Sequence, residues 1–171
     1  DHLPEILKNI IARFPPHSLQ FEVGIQTLNN DVQQLISRKQ NNIKAHDNLQ
    51  WLSQNSHAHI HADLIIGLPG EDMASFARGL NELAAMNPDE IQVGLLKRLR
   101  GTPIIRHTQT FGMRYNPQPP YTILCNKQID FATMQTLRRF VRYWDLVGNS
   151  GNFVETTPLI WSGGASPFDS F

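Results

Sequence analysis

Several side chains in this sequence are of types, and at spacings, that could carry chemistry. His57, His59, His61 and Asp63 recur at every second position, so a strand would present all four on one face. Imidazole and carboxylate in that pattern could hold a divalent metal for hydrolysis. Gln26 and Thr27 end one alternating apolar run, Arg38 follows twelve residues after Gln26, and Asp63 lies inside a second run. Taken singly, Arg38 reads as a solvated helix-end cation, and Gln26 and Asp63 as strand-end residues satisfied by local amides. Lys97, Arg98, Arg100 and Arg106 cluster after a third run, as a solvated rim or as contacts to an anion. Gly67-Leu68-Pro69-Gly70 lacks the Gly-Lys-Ser/Thr of a phosphate loop and reads as a structural turn. No Ser-His-Asp or nucleophile-elbow pattern is present.

The elements that must position these groups follow from apolar periodicity. Leu3, Ile6, Leu7, Ile10, Ile11 and Phe14 form one stripe of a helix that Pro15-Pro16 ends. Leu19 to Gln26 alternates strictly and reads as a strand. Asn29 to Arg38 reads as a short helix capped by Asn29, and a second helix runs through Leu49 and Leu52. Ala58 to Gly67 is the next strand, Met73 to Ala84 a clear amphipathic helix, and Ile91 to Lys97 a third strand. Strand and helix alternating at this spacing imply parallel strands with crossover helices. Residues 102–129 carry four prolines and little periodicity, and Phe131 to Val147 reads as a helix burying Met134, Leu137, Phe140, Val141 and Trp144. Trp51, Trp144 and Trp161 read as core or contact residues. Arg138, Arg139 and Arg142 fall on that helix's exposed side. Ser166-Pro167-Phe168-Asp169 has the form of a helix start.

Strand parity carries further information. Phe21, Val23 and Ile25, then Leu64 and Ile66, then Ile91, Val93 and Leu95 give one apolar face for the helices. The other parity reads Glu22, Gly24, Gln26; Asp63, Ile65, Gly67; and Gln92, Gly94, Leu96. A doubly wound sheet would be apolar on both faces. One polar, glycine-bearing face suits instead a barrel lumen with room for a ligand.

Composition narrows the classes. Fifteen basic against fifteen acidic residues give zero net charge, which argues against bulk binding to nucleic acid or an anionic membrane. Cys125 is the single cysteine and excludes a disulfide framework or a Cys-rich metal site within this chain. No apolar run approaches the roughly 20 residues that span a membrane. The chain reads as a soluble, cytoplasmic piece, and its two ends read as cuts through a longer protein.

Three ordered segments carry a family resemblance: Phe21 to Leu28 with Arg38; Ala62-Asp63-Leu64-Ile65-Ile66-Gly67-Leu68-Pro69-Gly70-Glu71; and Leu96-Lys97-Arg98-Leu99-Arg100-Gly101-Thr102-Pro103, with Pro120-Tyr121-Thr122-Ile123-Leu124 beyond. Over residues 19–125 the chain resembles the second half of a radical S-adenosylmethionine (SAM) enzyme barrel. The closest types are the oxygen-independent coproporphyrinogen oxidases and a cobalamin-domain radical SAM family of unassigned reaction. The resemblance implies a partial (β/α) TIM-like barrel of three parallel strands over residues 1–106, then the start of a mainly helical C-terminal extension over 107–171. It implies SAM held by Gln26, Thr27, Arg38 and Asp63, with the adenine against Ile65, Gly67 and Leu96. It also implies a 4Fe-4S cluster whose CxxxCxxC ligands precede Asp1, and a cobalamin domain in the full-length protein is a further possibility of the resemblance. The expected activity of the whole protein is generation of a 5′-deoxyadenosyl radical that acts on an unknown substrate, the fragment alone being inactive. The missing N-terminal half of the barrel is the expected partner, and uncovered strand edges imply self-association of the fragment.

Two alternatives stay beside that reading: a metal-dependent barrel hydrolase using the histidine strand, and a non-catalytic half-barrel. The histidines precede Leu64-Ile65-Ile66 at the N-terminal end of their strand, whereas barrel active sites lie at the C-terminal end. The expectation is therefore that His59 and His61 bind no metal.

Overall fold

The computed structural model describes residues 2–164 and 166–171, the side chain of Trp161 excepted. The sequence reading of Trp161 thus falls outside the described side chains. The first half runs α1 (Glu5–Ile11), β1 (Gln20–Gln26), α2 (Asn30–Leu35), α3 (Asn42–Asn55), β2 (His59–Ile66), α4 (Met73–Ala85) and β3 (Glu90–Leu95). The strands lie in the order β1-β2-β3, all parallel. Helices begin where asparagine or aspartate can accept orphan amide hydrogens: Asn29 from Asp31 and Val32, Asn41 from Lys44, and Asp72 from Ser75. The α2 helix stops at Leu35, short of Arg38, because Ser37 takes a left-handed backbone.

One sheet face is buried as the alternation requires. Ile60, Ala62, Leu64 and Ile66 of β2 and Ile91 and Val93 of β3 join Leu80 and Leu83 of α4 in the core. Leu80 and Leu83 are fully buried, each contributing about 1.5–3 kcal/mol of hydrophobic stabilisation. The other face carries Glu22, Gly24, His59, His61, Asp63, Ile65, Glu90, Gln92 and Gly94, none of them buried. This is an α/β fold with the strand order and the open polar face of a partial barrel.

Several elements differ from the sequence expectation. The α1 helix ends at Ile11, and of its stripe only Ile11 is buried, while Ile6, Leu7, Ile10 and Phe14 are exposed. The third strand ends at Leu95 rather than Lys97. Residues 96–98 instead exchange hydrogen bonds with 121–123, through Ile123 N–H to Leu96 C=O (2.8 Å) and Arg98 N–H to Tyr121 C=O (3.0 Å). The supposedly irregular stretch contains a 3₁₀ turn at Pro103–His107 and a small antiparallel pair, β4 (Arg114–Tyr115) with β5 (Ile123–Cys125). Strands of two and three residues are too short for periodicity to register.

The rest is α5 (Phe131–Tyr143), a π-helical turn at Trp144–Asn149, and α6 (Thr157–Trp161). Met134, Leu137, Phe140 and Trp144 are buried and Arg138, Arg139 and Arg142 exposed, as their spacing requires, whereas Val141, expected in the core, is only partly buried at its edge. Ser166 caps a single turn rather than a helix; there Phe168 N–H donates to Asn81 and its ring packs on Phe76 and Phe140.

Candidate functional site

The site builds outward from Gly24. In register, Gly24 of β1 lies opposite Asp63 of β2, and Ile65 lies opposite Gly94 of β3. A Cβ placed on Gly24 would sit 3.8 Å from Arg38 Nη2 and 3.9 Å from Asp63 Oδ2. A guanidinium and a carboxylate thus flank a space that any other residue at position 24 would fill. Arg38 reaches it because α2 breaks at Ser37. Its Nη2 then donates to the Gly24 carbonyl and its Nε to Gln40 Oε1 (2.9 Å). Partial burial lowers the pKa of Arg38, and the guanidinium nevertheless keeps its charge.

Asp63 is half-buried, and burial is the first cause that raises its pKa. The charge of Glu22 raises it further, and His61 on the same strand face pulls the other way. A group that donates hydrogen bonds to Asp63 would therefore relieve a carboxylate that is short of solvent.

Gln26 stands at the C-terminal end of β1, where a bulge shifts the register so that it pairs with Leu64 instead of continuing the alternation. Its backbone is left-handed (φ 66°), a conformation that costs a non-glycine residue about 1 kcal/mol or more. The simple parity of Glu22, Gly24 and Gln26 is broken at that bulge. Ile65 is half-buried on the open face.

The remaining expected residues lie elsewhere. Thr27 is 1% exposed and donates to Glu71 Oε1 at 2.6 Å, so its hydroxyl is committed to an internal bond away from the open face. Gly67 is buried with φ 89°, and a Cβ there would come 2.8 Å from Ile123 Cγ2. Leu96 is buried, its amide bonded to the Ile66 carbonyl and its carbonyl to the Ile123 amide. The segment around Ile123 covers both Gly67 and Leu96. Arg38 and Asp63 are thus brought together at Gly24, Ile65 lies two residues further along β2, Gln26 stands at the end of β1, and Thr27, Gly67 and Leu96 are buried.

Sequence reasoning gave Glu71 no role. It is 2% exposed, and its Oε2 has no hydrogen-bond partner. Burial pushes its carboxyl up to about 7, against hydrogen bonds from Thr27 and Ser75 and with a small push from Asp72. Gly-Glu-Asp directly ahead of a helix offers two carboxylates for one cap; Asp72 takes it and Glu71 is buried.

His59 and His61 open β2, at the opposite end of the strand from the Gly67–Gly70 turn, and His57 lies outside it. The basic group is dispersed. Arg106 donates to the Leu35 carbonyl (3.0 Å) and Ser37 (2.7 Å), and Arg98 stacks over Tyr115. Arg98 and Arg100 line a cleft of about 750 Å³ with Tyr121 and Ile105. No helix among the described residues is long and apolar enough to cross a membrane.

Comparison with known proteins adds three findings. A family described as a protein of unknown function (DUF4080) matches residues 109–171. Oxygen-independent coproporphyrinogen III oxidase of Synechocystis sp. is 37% identical over 70 residues, covering 41% of this chain and 15% of that protein. The solved coproporphyrinogen III oxidase (HemN) of Escherichia coli, described as a radical SAM enzyme, superposes with a TM-score of 0.52 at 23% identity. That superposition covers 72% of this chain and 26% of the other. Over those 70 residues the chain is similar in sequence to the Synechocystis protein, it shares the fold of part of the Escherichia coli protein, and it spans a minor share of the length of both.

Proposed function

We propose that this chain is the SAM-binding second half of a radical SAM enzyme barrel, with residues 1–106 forming the barrel portion and 107–171 an extension. The observation that carries the reading is the space above Gly24, flanked at 3.8 and 3.9 Å by a guanidinium and a carboxylate. That pair suits a ligand with an amino-acid carboxylate at one end and ribose hydroxyls at the other. Asp63 would accept both hydroxyls, which favours its charged form. Arg38 would turn part of its fork from the Gly24 carbonyl to the ligand's carboxylate. Gln26 would offer its amide from the strand end, and Ile65 an apolar contact for the base. Gly67 and Leu96 would act through backbone shape, under the cover of Ile123, and Thr27 by fixing the strand end to Glu71. In enzymes of this class bound SAM supplies hydrogen-atom abstraction from the substrate.

A 4Fe-4S cluster does not fit the residues of this chain, which has one cysteine, so its ligands are assigned to the portion of the protein outside it. No residue here is assigned to cobalamin.

The test is cleavage of SAM by the intact protein, reconstituted anaerobically with iron and sulfide and read as 5′-deoxyadenosine by chromatography. Asp63→Ala should reduce product at least about 10-fold, since it leaves two buried donors unpaired. Arg138→Ala, an exposed charge on α5, should not. If both cluster-loaded variants cleave SAM like wild type, the site is wrong even though the fold stands.

A further inference from the structure

The other end of the strands carries a second constellation. His59 and His61 share the open face of β2, and the register sets Glu90, the first residue of β3, opposite His61. The Glu90 carboxylate lies between the two imidazoles, with Oε1 3.3 Å from His59 Nε2 and Oε2 3.4 Å from His61 Nδ1. One donor atom from each residue falls within 4.8 Å of the others. Tetrahedral ligands at metal bonds of about 2.1 Å stand about 3.4 Å apart. Each imidazole stands at that separation from its own oxygen of Glu90, and with all three donors within 4.8 Å a shared ion requires the side chains to draw slightly together.

The surroundings reinforce this geometry. His59 turns its other nitrogen, Nδ1, toward Asp89 Oδ1 at 3.7 Å, and Asp89 is itself anchored by the Ile60 amide, which donates to Oδ2 at 2.7 Å. A carboxylate behind a ligating imidazole orients the ring and raises its basicity. Glu22, in register with His61 from the β1 side, adds a further negative charge to the same face. His61 and Glu90 are largely shielded, at 20% and 31% side-chain exposure, whereas His59 at 46% leaves the site open to an entering ion.

We propose that His59, His61 and Glu90 form a binding site for one borderline divalent cation of the zinc, cobalt or nickel class, oriented by Asp89. Two nitrogens and one carboxylate oxygen suit those ions over magnesium or calcium, which prefer all-oxygen sites. The site clips β2 to β3 towards the N-terminal end of the sheet, two residues along β2 from Asp63, and its geometry does not rest on the SAM reading. The sequence led to no metal here because the histidines stand at the N-terminal end of their strand, away from where barrel active sites lie; the register, which sets Glu90 beside His61, adds the third ligand.

The test titrates this chain with Zn²⁺ by calorimetry and with Co²⁺ by visible absorption. Wild type should bind one equivalent with the strong visible bands of low-coordinate cobalt. His61→Ala and Glu90→Gln should each weaken binding at least about 10-fold, and Asp89→Asn by a smaller factor. His57→Ala and His17→Ala, exposed and outside the cluster, should bind as wild type. If His61→Ala does not fold, as judged by circular dichroism, His59→Ala at the more exposed ligand gives the same reading. Wild-type affinity in the ligand variants, or an equal loss in His57→Ala, overturns the site.

Discussion

Glu71 is the residue whose environment departs furthest from its ordinary chemistry. A carboxyl near 4.5 in the unfolded chain and near 7 in the folded one keeps its proton on folding between those values. The folded state then binds more protons than the unfolded state, so stability falls as pH rises. The contribution is fully present below about pH 4.5 and gone above about pH 7, and at 1.36 kcal/mol per pH unit it amounts to roughly 3 kcal/mol. Glu71→Gln keeps an acceptor for the Thr27 hydroxyl and removes the charge. Thermal unfolding should show the variant more stable than wild type at pH 8 and close to it at pH 5. An unchanged pH slope in the variant would assign that slope to other groups. The inward turn of Glu71 was not legible in the sequence, because Glu71 and Asp72 are adjacent carboxylates and only the tertiary fold decides which one caps α4. Asp63 and Arg38 were candidates through the family resemblance; singly they read as a strand-end carboxylate and a solvated helix-end cation. Their convergence on Gly24 needed the register and the break at Ser37.

At the scale of elements, the parallel strands and their crossover helices followed from period alone, since each strand alternates cleanly and α4 has a full apolar stripe. What period could not supply is how the sheet ends. The outer edge of β3 is closed by side chains of the π-helical turn: Ile91 N–H donates to Asn149 Oδ1 (3.1 Å), and the Ile91 carbonyl accepts from Trp144 Nε1 (2.9 Å) and Asn149 Nδ2 (3.0 Å). One asparagine amide thus stands in for a neighbouring strand, an arrangement with no sequence signature. Asn149→Ala leaves the Ile91 amide without that partner and should destabilise the fold by about 1–3 kcal/mol in urea unfolding. Asn152→Ala, a few residues on and exposed, should change it little. Equal midpoints for the two variants would mean that the edge contact contributes nothing net.

For the whole molecule, the two sheet edges are therefore unequal. Against the capped β3, β1 pairs only with β2 among the described residues, and a cleft of about 550 Å³ runs along it, lined by Leu3, Leu7, Phe21, Val23, Leu49 and Arg38. Leu7 of α1 lines this cleft, and on the same helix Ile6 and Ile10 are exposed at 74% and 49%. Unpaired backbone groups beside exposed apolar side chains are the conditions for association between copies, and the Arg38 bond to the Gly24 carbonyl blunts that edge at one point. This chain alone should accordingly associate through the β1 side. Sedimentation at tens of micromolar should show species larger than the monomer, and the double substitution Ile6→Lys, Ile10→Lys should return them to the monomer. Leu159→Lys, in the exposed apolar part of α6, should leave association unchanged because it lies on a different element. A wild type that sediments only as monomer would sink the prediction outright. Association lost with Leu159→Lys and kept with the α1 pair would move the interface to the C-terminal extension.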